Sequence, residues 1–158
     1  MPIYMKFEGI DGEAKGTYKG WIELQSCQLG MARHVTSASG KSANRDADGP
    51  VLTEIVITKD MDSASNGLFR QSMWGDGKKV TIVFVREKDP TAYLQVELEG
   101  VLISSYNVNG RGGDPNQPPM ESLTLNFTKI SYKTTAASGK PDGGKDQVQW
   151  QTTAPTAS

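Results

Sequence analysis

A chain of 158 residues with 17 Lys+Arg, 18 Asp+Glu and a formal net charge of -1 has room for one domain with a sizeable core. That balance gives no electrostatic case for nucleic acid or an anionic membrane as partner. The lone cysteine, Cys27, excludes an intramolecular disulfide and fits folding in a reducing compartment.

The first residues, MPIYMKFE, place Ile3, Met5 and Phe7 on one parity and Tyr4, Lys6 and Glu8 on the other. That is a strand with one dry face, and it has neither the basic start nor the continuous apolar run of a signal peptide. No stretch approaches the ~20 apolar residues of a membrane span. A soluble chain made in the cytoplasm without a cleavable signal peptide is expected. If it leaves the cell, it does so by a route that reads no such signal. Residues 9–20, rich in glycine and charge, form a loop. Residues 21–33 form a second strand in which Ile22 and Leu24 share a parity with Ser26 and Gln28, while Cys27, Leu29 and Met31 take the other. The apolar content changes face near Gln25, which predicts a bend.

Residues 36–50, TSASGKSANRDADGP, contain no large apolar side chain. Connections in compact domains run to about 4–6 residues, so this is a long loop, functional or disordered. Residues 51–58 are apolar on both parities, which predicts a strand covered on both sides. Residues 62–75 make the one helix: Asp62 or Ser63 caps it, Ala64, Leu68, Phe69 and Met73 are spaced for one face with Trp74 at its edge, and Gly75 and Gly77 end it. Residues 78–88 are again apolar on both parities and turn at Asp89-Pro90.

A long strand over 93–108 turns Leu94, Val96 and Leu98 inward, then continues inward at Val101 and Ile103 with the parity changed across Gly100. A glycine at a parity change marks a bulge or a barrel corner. Residues 109–119 are a Gly/Pro/Asn loop. In ESLTLNFTKISYK (121–133), Leu123, Leu125 and Phe127 alternate with polar residues, and then Ile130 and Tyr132 fall on the opposite parity. Thr128-Lys129 therefore reads as a bulge that bends a closing strand. Residues 134–158 form a polar tail with a short strand around Val148, Trp150 and Thr152, and Trp150 is placed to pin that tail. The whole reads as a mainly β protein of bent antiparallel strands with a single helix, one domain over 1–158.

Candidate chemistry is sparse. His34 is the only histidine, and without partner ligands it supports no zinc site. Cys27 could pair with His34 as a nucleophile, but its apolar strand face favours a small buried hydrophobe. Glu97 and Glu99 share a strand face, as paired carboxylates of a glycosidase would, yet they alternate with core residues and read as a solvated face; Asp46 and Asp48 form a second acidic pair. Asn109-Gly110-Arg111-Gly112-Gly113 has no helix after it to build a phosphate cradle. No catalytic residue, metal or cofactor is assigned, and a protein that works by shape and assembly is expected.

Several stretches then fall in a recognisable order. They are Phe7-Glu8-Gly9-Ile10 through Lys15-Gly16, Trp21-Ile22-Glu23-Leu24, Ile57-Thr58-Lys59 with Asp62-Ser63-Ala64-Ser65, Leu98-Glu99-Gly100-Val101-Leu102-Ile103-Ser104-Ser105, and Glu121-Ser122-Leu123-Thr124-Leu125-Asn126-Phe127. Over residues 3–133 the sequence resembles the haemolysin-coregulated protein (Hcp) family, the inner-tube subunit of type VI secretion. The resemblance implies a β-barrel with one helix on its side. It implies a homohexameric ring that stacks into a tube, is expelled by a contractile sheath behind a spike and carries effectors in its lumen. Residues 36–50 match the family's extended loop, which implies subunit and ring contacts for Thr36, Ser37, Ser39, Lys41, Asn44, Arg45, Asp46 and Asp48; Ser26 and Gln28 match lumen-facing positions. The chain departs from the family where Cys27 and Leu29 stand for aromatic residues and Ile57 for a phenylalanine. Two alternatives are a tail-tube protein of a phage-like contractile particle and a non-catalytic β-sandwich binding module. The latter needs an aromatic platform, and Trp21, Trp74 and Trp150 are scattered in sequence.

Overall fold

The computed structural model describes residues 1–33, 35–37, 45–47, 51–88, 91–135 and 147–151. In chain order it contains β1 (Ile3–Phe7), a 3-10 turn (Gly16–Tyr18), β2 (Ile22–Leu24), β3 (Ser26–Gln28), β4 (Met31–Ala32), β5 (Val35–Ser37), β6 (Arg45–Ala47) and β7 (Val51–Leu52). These are followed by β8 (Ile55–Asp60), α1 (Ser65–Trp74), β9 (Lys78–Val85), β10 (Ala92–Asn109), β11 (Met120–Asn126), β12 (Lys129–Thr134) and β13 (Gln147–Gln151).

Every pairing among the described strands is antiparallel, and nine strands join into one bent sheet in the order β2-β1-β9-β10-β11-β8-β3, with β12 on β10 and β13 on β12. This is a β-barrel of bent strands whose hydrogen-bonded circuit, among the described strands, stays open. Two corners bend it. The first is Gln25. Ile22 and Leu24 pair with Met5 and Ile3 of β1, whereas Ser26, Cys27 and Gln28 pair with Thr58, Ile57 and Val56 of β8. The bend expected near Gln25 is thus a change of partner strand, and the Gln25 amide marks it by donating to the Thr58 carbonyl at 2.8 Å. The continuous strand expected over 21–33 is instead three short ones, β2, β3 and β4, because each finds a different partner, β1, β8 and β7.

The second corner is Gly100. The first half of β10 lies between β9 and β12, and the second half pairs with β11. Gly100 has φ +63, the left-handed region that glycine enters without a Cβ penalty. Across it the buried set passes from Val96 and Leu98 to Val101 and Ile103, as the parity change predicts. The matching corner after β11 is a clean break rather than a bulge within a strand. Thr128 leaves both ladders, and its amide donates to the Glu99 carbonyl at 3.0 Å. Phe127 and Ile130, on opposite parities, are both buried.

The core gathers Met5, Phe7, Ile22, Ile55, Ile57, Leu68, Ile82, Leu98, Leu123 and Leu125, all fully or almost fully buried. Two expectations need correcting. The strand over 51–58 is split into β7 and β8, and β8 alternates strictly between buried and half-buried residues, so it is covered on one side. The helix is shorter than 62–75, and of its apolar residues only Leu68 is buried; Phe69 and Met73 are about half exposed and Trp74 is 78% exposed. A helix packed on the side of a sheet buries one narrow stripe, and here Ser65 and Leu68 are that stripe. Gly67 lets the helix come close: a Cβ there would stand 3.2 Å from Ile10.

Candidate functional site

Two features stand out once the strands are placed: open sheet margins facing an apolar groove, and a polar cluster buried under the helix.

The margins come first. Among the described strands, β3 pairs only with β8 and β13 only with β12. A groove of about 370 Å³ runs between the segment that follows β3, with Leu29, Gly30 and Met31, and the strands β12 and β13, with Ile130, Tyr132, Val148 and Trp150. Met31 and Val148 are each 63% exposed. A row of unpaired strand donors and acceptors beside exposed apolar side chains is a surface suited to accept another chain. Trp150 lines this groove at half burial and packs against the core from the last described strand. Ser26 and Gln28 are both exposed on β3, and the Ser26 hydroxyl lies 2.5 Å from that of Thr58.

Beyond β3 the chain makes a two-stranded ribbon in two pieces. Met31 and Ala32 pair with Leu52 and Val51. Further out, Val35, Thr36 and Ser37 pair with Ala47, Asp46 and Arg45. Within the loop expected over 36–50, residues 36–37 and 45–47 are therefore paired strand, and Thr36, Ser37, Arg45 and Asp46 lie in that ladder. Ser39, Lys41, Asn44 and Asp48 fall outside the described residues, as does His34.

The remaining candidates do not converge. Cys27 is largely buried, and burial pushes its thiol up to about 11. A thiol so high holds almost no thiolate at neutral pH. Native protein at pH 7.5 is expected to resist iodoacetamide over hours, with unfolded protein alkylating within minutes; intact-mass spectrometry reads the difference, and rapid native labelling would contradict the assigned burial. Glu97 and Glu99 are both exposed on the outer face of β10, with Glu97 accepting from Gln95 Nε2 at 2.7 Å. Trp21 stands edge-on to Tyr18, which stacks on Tyr4 at 4.9 Å, so these rings occupy one another's faces. With Trp74 on α1 and Trp150 in the groove, the tryptophans build no common platform.

The buried cluster was not anticipated. Lys59 and Glu121 are directly paired residues of β8 and β11, both 0% exposed, with Lys59 Nζ 2.6 Å from Glu121 Oε2. Lys59 also donates to the Asp60 carbonyl at 2.7 Å and to Asp62 Oδ1 at 2.8 Å. Ser65 Oγ donates to Glu121 Oε2 at 2.9 Å, and the Tyr106 hydroxyl donates to Glu121 Oε1. Burial, the hydrogen bond to Glu121 and the charges of Glu121 and Asp62 all raise the Tyr106 phenol, which keeps it protonated and a donor. The helix begins later than the expected cap at Asp62 or Ser63: its N-cap is Ala64, with no side-chain cap, and Asp62 instead accepts from the Ala64 amide at 2.9 Å in the entry turn. No buried side-chain polar atom lacks a partner among the described residues. The signal was present in sequence: Lys59 follows the parity of Ile55 and Ile57, and Glu121 that of Leu123 and Leu125. Charged residues on a dry parity, on two strands, call for each other.

Comparison with solved structures gives the class. A structure of a type six secretion system protein superposes with a TM-score of 0.81 at 23% identity, covering 95% of this chain and 94% of the other. Hcp1 from Salmonella typhimurium gives 0.72 at 20% identity, covering 94% and 91%. The secreted protein Hcp3 from Pseudomonas aeruginosa gives 0.62 at 17% identity, covering 97% and 99%. At such identities these likenesses establish the fold. No curated protein sequence matches the chain. The family model described as "Type VI secretion system effector, Hcp" matches residues 4–133, and the chain belongs to that family: it is a type VI secretion tube protein. Among the described residues no helix is long and apolar enough to cross a membrane.

Proposed function

We propose that this chain, one domain over residues 1–158, assembles as a homohexameric ring, that the rings stack into the inner tube, and that sheath contraction behind a spike drives the tube and its luminal effectors out of the producing cell. Its role is structural, with no catalytic residue, cofactor or metal. It is made in the cytoplasm and leaves through the secretion machine itself.

The observation that carries this reading is the pair of open margins across the groove. A lone molecule leaves β3, β13, Met31 and Val148 facing water, and a head-to-tail neighbour repeated around a closed axis covers them in every copy. In this arrangement Ser26 and Gln28 face the lumen. Thr36, Ser37, Ser39, Lys41, Asn44, Arg45, Asp46 and Asp48 touch the adjoining subunit or the next ring; β5 and β6, which among the described strands pair only with each other, leave both outer edges free for a second subunit.

Light scattering with negative-stain imaging tests it. The purified chain is expected to show annular particles with the mass of six chains. Met31→Asp combined with Val148→Asp, two exposed positions whose change leaves the core intact, is expected to give folded monomers. Monomers alone for the unsubstituted protein at high concentration would remove the ring; rings that survive the double substitution would move the contact away from the groove.

A further inference from the structure

The helix is held in an unusual way. Of its ten residues only Ser65 and Leu68 are buried, so its fully buried apolar anchorage is one leucine and the adjoining Ala64, with Gly67 against Ile10 and Phe69 against Tyr106 at its edges. What fastens its first turn is polar. Ser65 Oγ donates to Glu121 Oε2 at 2.9 Å, receives the Asp62 amide at 3.0 Å and lies 3.4 Å from Lys59 Nζ. Asp62, just before the helix, is tied to Lys59 at 2.8 Å. Tyr106 from β10 reaches the same carboxylate and carries Phe69 of α1 edge-on at 5.4 Å. The polar side-chain attachments of the first turn thus converge on the Lys59–Glu121 pair. The last turn ends differently: Gln71 Nε2 donates to the Asp76 carbonyl at 2.6 Å, and Gly77 lies against Gly100, where an added Cβ would stand 3.1 Å from the Gly100 Cα.

The strands beneath depend far less on the helix. β8 and β11 share a six-residue ladder, and Ile55, Ile57, Leu123 and Leu125 are fully buried. β1, β9 and the first half of β10 form their own ladders. The helix and the sheet therefore have unequal claims on stability, which is the condition for opening in separate units.

We propose that α1 is a latch: a short helix fastened over the core by the buried Lys59–Glu121–Ser65–Tyr106 cluster, able to lift as a unit about the Gly75–Gly77 end while the sheets remain paired. The charged and titratable groups facing the fastening are Lys59 from β8, Asp62 from the entry turn, Tyr106 from β10 and Glu121 from β11. Opening withdraws Ser65 and Phe69 from Glu121 and Tyr106 and leaves the Lys59–Glu121 pair itself on the sheet, so the open state keeps its charges paired. This gives the subunit a second conformation in which Leu68 and the surface around Ile10 are uncovered, independently of whether it forms rings.

Amide hydrogen exchange on the full chain tests the latch. In Ser65→Ala and Phe69→Ala, which remove the helix's own contacts to Glu121 and Tyr106 and leave the ion pair, exchange in residues 65–74 is expected to rise, at least about ten-fold for Ser65→Ala, the scale of one lost hydrogen bond to a charged group, and several-fold for Phe69→Ala, the scale of one lost aromatic pair. Exchange in β1 and β9 should stay within about two-fold. Ser72→Ala, at the far end of the helix, is the control and should change neither region. Parallel acceleration of helix and strands would show that the cluster is ordinary global packing, and an unchanged helix would show that the cluster does not fasten it; either result overturns the proposal. Should Ser65→Ala fail to fold, Phe69→Ala alone decides, because Phe69 is 48% exposed and its removal leaves the core and the ion pair intact.

Discussion

Replacing Glu121 by alanine is expected to lower the unfolding free energy by about 3–5 kcal/mol, the cost of breaking a buried ion pair from one side. The magnitude follows from what is left behind. Lys59 is 0% exposed and cannot reach water. It would keep Asp62 Oδ1 and the Asp60 carbonyl, but the carboxylate at 2.6 Å is gone. The Tyr106 hydroxyl and Ser65 Oγ lose their acceptor at the same time. Lys59→Met should cost a similar amount for the converse reason. A buried carboxylate then remains, held only by Ser65 and Tyr106.

The double replacement Lys59→Met with Glu121→Ala removes both charges at once. It is expected to cost less than the sum of the singles by at least about 2 kcal/mol. Urea unfolding at a protein concentration where all variants share one oligomeric state reads these differences as midpoint shifts at constant slope. Additive singles would mean that Lys59 and Glu121 are stabilised independently, by Asp62 and by the hydroxyls, and that the short contact between them contributes little.

That pair also shows where sequence reading stopped. The strands were legible because period-two alternation is imposed by one wet and one dry face, and Ile3, Met5, Phe7, Leu123 and Leu125 obey it. The corner at Gly100 was legible because a parity change needs an extra residue and glycine permits the backbone it requires. Lys59 and Glu121 obeyed the same alternation and were passed over, since charge outweighs position in any reading that treats residues one at a time. Nothing in either strand alone pairs them; the register of β8 against β11 does. The helix was legible as an element but its buried stripe was not. Phe69 and Met73 fit an amphipathic spacing, and yet the sheet beneath offers cover for little more than Leu68. The groove was invisible for a further reason: Met31 and Val148 are 117 positions apart, and only the finished sheet brings β4 near β13.

Gly100→Ala is expected to cost about 2–5 kcal/mol, from two sources that can be separated. The first is conformational. At φ +63 an added Cβ crowds the backbone itself, worth roughly 1–2 kcal/mol for a non-glycine residue held left-handed. The second is steric. The Cβ would stand 2.5 Å from Thr128 Oγ1 and 3.1 Å from its Cγ2, an overpacking that costs about 1–3 kcal/mol. Thr128 cannot simply swing aside, because its amide and hydroxyl both donate to the Glu99 carbonyl, at 3.0 Å and 3.1 Å, and Gly77 closes the other side of the corner. Thr128→Ala deletes the two nearest atoms and leaves only the Thr128 Cβ, at 3.3 Å. In its background the cost of Gly100→Ala should fall to the conformational part, about 1–2 kcal/mol, a coupling that thermal or urea unfolding of the four proteins resolves. If the cost is the same in both backgrounds, Thr128 yields freely and the corner is set by backbone conformation alone. If Gly100→Ala costs less than about 0.5 kcal/mol, the scale of an ordinary surface change, the long strand does not turn at this glycine, and the bend that carries β10 from one half of the barrel to the other has another origin.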